Sequence, residues 1–303
     1  EFKSHHHLTL LDKLALWASW AAAVGIFLTL GWMAMAPDDP YGAVSLLLRG
    51  RAMSMWLQAA GLAVVTSAIA TILVGRSLPY AGPFAAALGL AVVSLRGRTA
   101  ESLLIAARTS GVGTNSLAIR MSLEALAWIG VMVLAFVIAE GIARWCFPRS
   151  ASRNDTGTTA SMSLPAPAFA GAALAIALLA FNVLGAGMHS REIRHTQVCF
   201  VVAASVWLGC YFAYRVVPAR GILWHFAAVA LMVLGGYWWA ALQSDPPTLP
   251  VSVPPSNFLR MLPIQFVAVG VAAAIAAYWS NLNHRIEQVY TDEVSVDDSG
   301  SDR

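Results

Sequence analysis

Charged side chains are scarce in this sequence. Only 12% of its 303 residues are Asp, Glu, Lys or Arg, whereas 58% are hydrophobic. An ordinary soluble domain carries about 25% charged residues and could not cover so much apolar surface with so little polar surface. The net charge of +3 is also too small to indicate a nucleic-acid-binding protein. The composition therefore excludes a soluble fold and predicts an integral membrane protein in contact with the lipid bilayer.

Cysteines and catalytic motifs are also lacking. Of the three cysteines, Cys199 and Cys210 fall on one predicted helix, about 16 Å apart along its axis, which is too far for a disulfide. The spacings typical of zinc or haem-attachment sites do not occur. A phosphate-binding loop, a serine nucleophile elbow and a zinc-protease motif are absent as well. No catalytic, metal-binding or cofactor-binding residue is therefore assigned from motifs, and no cofactor is evident.

What the sequence has in quantity is long apolar runs. A helix needs about 20 mainly apolar residues to cross the hydrocarbon layer of a bilayer. Seven runs meet that test, and an eighth is shorter and carries Pro79 and Pro83 near its start. Proline is tolerated in a first helical turn, so the eighth run is predicted to span. The alternative is a re-entrant helix, which would place the termini on opposite sides. The predicted spans are residues 14–35, 53–74, 78–95, 121–143, 166–188, 198–217, 222–242 and 261–279.

The connection between the third and fourth runs is amphipathic. Leu103, Leu104 and Ala107 fall on one helical face, with Glu101 and Arg108 opposite. This pattern predicts a helix that lies in the membrane interface. The predicted fold class is thus all-α: a polytopic transmembrane bundle of about eight spans with one interfacial helix.

The two ends of the sequence are polar. Residues 1–13 are interpreted as a polar leader or an expression-tag remnant, and residues 281–303 as an acidic, flexible tail after a transmembrane bundle at 14–280. Lys and Arg divide almost evenly between the two sets of connections, so they give no clear orientation. Both termini are predicted to be cytoplasmic, because the proline-rich connection at 243–257 then faces outward.

A few polar residues within the runs are candidates for a functional site. Asn182, Gln265, Thr66 and Ser67 are the polar groups nearest the middle of the predicted bilayer. They could line a polar path through the bundle. Hydrogen bonds between helices are the commoner use of such residues, so packing is the favoured interpretation.

Acidic residues occur at two places within the predicted spans. Glu124 and Glu140 lie near opposite ends of one run, four residues from Arg120 and Arg144 respectively. The i,i+4 spacing favours interfacial ion pairs. A functional site is the alternative, because ionisable groups inside a membrane commonly have a role.

Histidines offer two further candidates. His225 lies within a span, but the matched mid-helix histidines of a haem or metal site are missing, so interface histidines are favoured. A second group brings basic, acidic and imidazole side chains together between the fifth and sixth runs, where a lipid-modifying enzyme would place its reactive groups. A solvated loop with a charged network is the favoured interpretation. The group consists of His189, Arg191, Glu192, Arg194 and His195.

Three function classes stay open on the sequence. A transport-related protein is placed first, by analogy with other many-helix bundles that lack a soluble domain. A non-catalytic structural or accessory subunit of a membrane complex is the alternative, and an intramembrane lipid-modifying enzyme is the second alternative. Gly270 and Ala274 form a small-xxx-small pair, which predicts close packing with another span, a membrane-protein partner or a second copy of the chain.

Overall fold

A computed structural model describes residues 10–37, 42–48, 52–97, 99–147, 165–186, 195–217, 221–243 and 256–300. The described residues form nine helices and no strand, and seven of the helices are long and apolar enough to cross a membrane. The predicted all-α helix bundle is confirmed, and the chain is an integral, multi-pass membrane protein. The helices are α1 (Leu10–Met35), α2 (Ala52–Val74), α3 (Ala81–Arg96), α4 (Ala100–Thr109), α5 (Thr114–Cys146), α6 (Pro165–Gly185), α7 (His195–Val216), α8 (Leu223–Leu242) and α9 (Pro263–Gly300).

The shortest apolar helix, α3, is the centre of the bundle. It has 16 residues, and it packs against α1, α2, α5 and α9. Its alanines and glycines allow that approach, since a Cβ added at Gly89 would collide with the ring of Phe27. Phe27 begins a π-helical stretch, Phe27–Gly31, within α1. The wider turn of a π-helix suits a bulky ring pressed against a neighbouring backbone.

Contacts at its two ends show that α3 traverses the bundle. Before its start, the indole Nε1 of Trp279 donates a hydrogen bond to the carbonyl oxygen of Pro79 at 2.8 Å. Near its finish, the amide Nε2 of Gln265 donates to the carbonyl oxygen of Ser94 at 3.4 Å. Gln265 and Trp279 lie at opposite ends of the apolar part of α9, so α3 runs antiparallel to α9 over the same height. The contacts favour eight traversing helices over a re-entrant third one.

The first and last traversing helices share one end of the bundle. Leu16 of α1 packs with Val74 and Ala81, beside the Pro79 connection that Trp279 of α9 reaches. This end is named the terminal end. The opposite end holds connection 42–48 and the start of α9, and it is named the Glu124 end. The assignment of either end to the cytoplasm stays a prediction.

We expect a reporter fused before α1 and one fused after α9 to lie on the same side of the membrane. An even number of crossings requires that result. Accessibility of each tag to an impermeant label, in intact and in permeabilised cells, measures it. Tags on opposite sides would contradict eight crossings and restore the re-entrant alternative.

Several boundaries differ from the predicted ones. The leader was predicted to run to residue 13, but α1 already begins at Leu10. The third span was predicted from residue 78, but α3 starts at Ala81, because Tyr80 takes a left-handed backbone conformation with φ 64° and ends the preceding turn. The last helix continues through Gly300, so the segment predicted as a flexible tail is helical that far.

The amphipathic helix α4 forms as predicted from its pattern. Leu103 and Leu104 are buried, and the helix packs against α5 and against the short turn Asn257–Arg260. Burial lowers the pKa of the Arg260 guanidinium in that turn, and the nearby Glu101 carboxylate opposes the effect. The placement of α4 in the membrane interface stays a prediction.

Candidate functional site

The structure does not gather the four residues of the predicted polar path. Thr66 and Ser67 are neighbours on α2, and both hydroxyls donate to backbone carbonyls: Thr66 to Leu62 at 2.8 Å, and Ser67 to Ala135 of α5 at 3.0 Å. Gln265 is buried at the Glu124 end, where its Oε1 accepts from the backbone N–H of Leu262 at 3.3 Å. Ser67 and Gln265 thus join neighbouring helices, Gln265 through the Ser94 carbonyl of α3, whereas Thr66 binds only its own helix.

Asn182 lies apart from the other three. It is exposed on the outer side of α6, and its Nδ2 donates to the carbonyl oxygen of Leu178 at 2.9 Å. An amide at this position faces whatever surrounds the bundle and not its interior.

The ion pair predicted for Glu124 is wrong. Helix α5 begins at Thr114, so Glu124 lies three turns inside the helix and is 3% exposed, whereas Arg120 is on the outside. Its carboxylate accepts hydrogen bonds from neutral donors: the hydroxyl of Ser45 at 2.5 Å and the backbone N–H of Leu46 at 3.1 Å. The indole N–H of Trp128, one turn on, donates to the same carboxylate at 3.1 Å. Glu124 therefore fastens connection 42–48 to α5.

The second predicted ion pair is confirmed. Arg144 Nε lies 3.4 Å from a carboxylate oxygen of Glu140 on the same helix, near the terminal end. Both side chains are partly exposed, so the pair is screened by its surroundings and is worth little to stability.

The predicted histidine and arginine group lies mostly outside the described residues. His189, Arg191, Glu192 and Arg194 fall in the undescribed stretch 187–194, and His195 begins α7. Among the residues that the structure does describe, no set of three or more His, Cys, Asp or Glu side chains could hold a metal ion.

The small-residue pair on α9 faces the interior. Ala274 is fully buried, and a Cβ added at Gly270 would lie 2.9 Å from Val229 of α8 and 3.8 Å from Val206 of α7. The pair therefore serves packing between spans of this chain. Of the alternatives left open for Gly270 and Ala274, the structure supports packing with another span of the same chain, because both positions are buried among α7, α8 and α9.

An aromatic cluster closes the terminal end. The ring of Tyr80 stacks on Phe136 of α5 at 5.5 Å and meets Tyr278 of α9 edge-on at the same distance. Tyr278 in turn meets His225 of α8, again at 5.5 Å, and His225 lies against Phe169 of α6 at 4.6 Å. The left-handed backbone of Tyr80 is costly for an aromatic residue and directs its ring into this cluster.

His225 is the most unusual residue in the cluster. Its side chain is fully buried, and neither ring nitrogen has a hydrogen-bond partner among the described residues. The backbone carbonyl of Gly221 lies near the ring but does not meet the geometry of a hydrogen bond. The residues that follow His225 in the span are apolar. The sequence therefore predicts that His225 lies in a span, but not that its ring nitrogens have no hydrogen-bond partner among the described residues.

The outer side of α6 is distinctive in another way. Among the described residues, the helix packs mainly along one side, against α7 and α8. Its other side exposes a stripe of mostly small residues at helical spacing, and no described residue outside the helix's own turn lies within 4 Å of where a Cβ of Gly171 would be. The stripe, named the α6 outer face, comprises Ala168, Gly171, Ala175, Leu179 and Asn182.

Comparison of the chain with protein-family models, with curated proteins and with solved structures returned no match. Function is therefore inferred from residue geometry.

Proposed function

We propose that the protein is a non-catalytic structural subunit of a membrane assembly, and that it associates with a second copy of itself through the α6 outer face. The observation that carries the proposal is the stripe of exposed small residues on a helix that, among the described residues, is packed mainly along one side. Without a hydrophobic driving force between helices in lipid, close backbone approach at small residues is a principal source of association.

The outward faces of α2 and α5 carry more large aliphatic side chains than the α6 outer face, although α1 also exposes small residues at Ala18, Ala22 and Gly25. Helix α2 exposes Leu57, Val65 and Ile72, and α5 exposes Leu126 and Val137. Branched aliphatic side chains of this size suit contact with lipid chains. Gly171 and Ala175 instead leave a shallow groove with the small-xxx-small spacing, which fits the surface of another helix better than it fits lipid.

Asn182 adds a polar contribution to the same face. It follows Gly171 and Ala175 along the stripe, between the exposed residues Leu179 and Val183. Exposing an amide on an apolar helix is costly in lipid, and a hydrogen bond across a helix–helix interface removes part of that cost.

A second copy is the partner that the face itself favours. Two copies in one membrane have the same orientation, so their α6 helices run parallel. Across a two-fold axis, each residue of the stripe then meets its own counterpart. A glycine groove meets a glycine groove, and the amide of Asn182, which has both donor and acceptor groups, meets an identical amide.

The polar side chains inside the bundle are also consistent with a structural role. Ser67 and Gln265 bind backbone carbonyls of neighbouring helices, and Thr66 binds a carbonyl of its own helix. A transport-related role stays a prediction that these contacts do not support. The enzyme alternative also stays a prediction, and it rests on His189, Arg191, Glu192, Arg194 and His195.

We expect Ala175→Cys to form a disulfide-linked dimer in oxidised native membranes, because Ala175 sits at the middle of the α6 outer face. The matched control is Val65→Cys, which is 49% exposed near the middle of α2. Both changes are made in a chain whose three native cysteines are replaced by alanine, and dimers are measured by non-reducing electrophoresis.

The two variants separate lateral assembly from random collision. A dimer for Ala175→Cys and none for Val65→Cys supports the proposal. Equal cross-linking of the two, or none in either, contradicts it. A cross-link from Ala175→Cys to a different protein overturns self-association.

A further inference from the structure

Helix α3 ends in an arginine whose side chain is fastened to α1. Nη1 of Arg96 donates a hydrogen bond to the carbonyl oxygen of Leu28 at 2.8 Å, and the guanidinium lies 4.6 Å from the ring centroid of Trp32. Arg96 is nevertheless exposed on the outside of the bundle. A long surface side chain is thus held in one place by two contacts with a neighbouring helix.

The direction of this side chain is unusual for an arginine at the end of an apolar helix. A Cβ added at Gly89 would meet the ring of Phe27. Four residues further along both helices, a Cβ added at Gly31 would lie 3.2 Å from Val93. The two helices therefore run parallel, and the arginine reaches back to the Leu28 carbonyl, more than one turn deeper in the bundle. Cationic side chains near a membrane surface ordinarily extend outward to the headgroups.

The carbonyl that receives the arginine belongs to the π-helical stretch Phe27–Gly31 of α1. A single π-helical turn within an α-helix is rare and often occurs at a functional site. Here the same stretch provides both parts of the contact with α3. Its first ring packs on the backbone of Gly89, and its next carbonyl holds the guanidinium of Arg96.

The guanidinium keeps hydrogen-bonding capacity that the described residues do not use. Arginine carries five N–H donors, and the hydrogen bond to Leu28 uses one of them, on Nη1. The edge formed by Nε and Nη2 is left free. Between described residues the ion pair is that of Glu140 with Arg144, near the terminal end. Arg96 therefore has no carboxylate partner among the described residues.

The surroundings of the guanidinium are those of a lipid-facing surface. Leu28, Met33 and Leu95 are large apolar side chains beside these contacts, and all three are exposed. Helix α3 has 16 residues and is about 24 Å long, whereas the hydrocarbon layer of a bilayer is about 30 Å thick. A cation that points inward from the end of so short a helix is costly unless an anion accompanies it.

We propose that the anchored guanidinium of Arg96 binds the phosphate of an anionic phospholipid, whose acyl chains lie against the exposed leucines Leu28 and Leu95. The Nε–Nη2 edge matches two phosphate oxygens with parallel hydrogen bonds. An anionic lipid fits better than a zwitterionic one, because a choline group brings a second positive charge beside the arginine. The site is at the Glu124 end, away from the α6 outer face, and does not depend on the proposed assembly.

Native mass spectrometry of the full chain, in detergent with equal amounts of phosphatidylglycerol and phosphatidylcholine, tests the site. For the natural sequence we expect the first bound lipid to be phosphatidylglycerol, favoured about tenfold, as one charge-assisted contact supplies. Arg96→Gln, or Arg96→Met if that variant does not fold, should abolish the preference. Arg120→Gln is the matched control, because it removes the same charge from an exposed residue near the Glu124 end. It should retain the preference.

Trp32→Leu tests whether the anchoring of the arginine contributes. It keeps the charge of Arg96 and removes the ring beneath it, so we expect the preference for phosphatidylglycerol to fall about threefold. Inorganic phosphate at millimolar concentration should not displace the lipid, because it lacks the acyl chains.

Four results overturn the proposal. They are equal binding of the two lipids by the natural sequence, equal loss of preference in Arg96→Gln and Arg120→Gln, an unchanged preference in Trp32→Leu, and displacement of the lipid by inorganic phosphate. The last of these would show that the guanidinium binds free phosphate and not a lipid headgroup.

Discussion

Replacing Glu124 with alanine is expected to lower the free energy of unfolding by about 3–6 kcal/mol. The carboxylate accepts from the Ser45 hydroxyl, the Leu46 backbone N–H and the Trp128 indole. Alanine leaves the buried Ser45 hydroxyl and Trp128 indole, and the partly buried Leu46 N–H, without this acceptor, and the buried donors then carry the larger desolvation cost. Thermal or denaturant unfolding of both proteins in one detergent measures the loss.

Two further variants on α5 show how much of that loss of stability comes from the hydrogen bonds of Glu124. Glu124→Gln keeps one oxygen that accepts from Leu46 and Trp128. We therefore expect its loss of stability to be about half that of Glu124→Ala. Glu140→Ala removes the other acidic residue of α5, which is in a partly exposed ion pair, and should cost less than about 1 kcal/mol. Equal losses for Glu124→Ala and Glu140→Ala would show that connection 42–48 is not fastened by Glu124.

Gly82→Ala is expected to destabilise the bundle by about 1–3 kcal/mol, because it forces α2 and α3 apart. A Cβ at this position would lie closer than 3.0 Å to the backbone oxygen of Ser67 and to the hydroxyl of Thr71. Backbone atoms of a packed helix cannot move aside as the end of a flexible side chain can. The melting temperature of the purified protein reports the effect.

The matched control for this change is Gly141→Ala on α5. Among the described residues, no neighbouring atom lies within 4 Å of the Cβ it would add, and alanine favours a helix over glycine by about 1 kcal/mol. The two substitutions should therefore shift the melting temperature in opposite directions. A loss of the same size in both would mean that the α2–α3 crossing is looser than described.

Hydropathy predicts the helices of this protein better than it predicts their ends. The seven long spans and the shorter α3 follow from apolar runs, because burial in lipid depends on composition over about 20 residues. Helix α5 starts seven residues before its predicted span, since Thr114, Asn115 and Arg120 lower the local hydropathy without preventing a helix. That difference hides the depth of Glu124, which is why the ion pair with Arg120 was predicted.

Sequence alone also fails to tell inward from outward faces. The same small-xxx-small spacing occurs at Gly270 and Ala274 of α9 and at Gly171 and Ala175 of α6. The first pair is inside the bundle and the second is exposed. Which face of a helix meets its neighbours depends on how all the helices pack, and an apolar helix with little amphipathic pattern carries almost no signal of that choice. For the same reason the orientation of Asn182 and the missing partners of His225 emerge only from tertiary contacts.

The mass of the particle purified from its native membrane in a mild detergent tests the proposed assembly most directly. We predict a particle with two copies of the chain for the natural sequence. For Ala175→Leu, which fills the groove of the α6 outer face, we predict a particle with one copy. A natural sequence that purifies as a single chain, with no partner and the same mass as Ala175→Leu, would contradict the account.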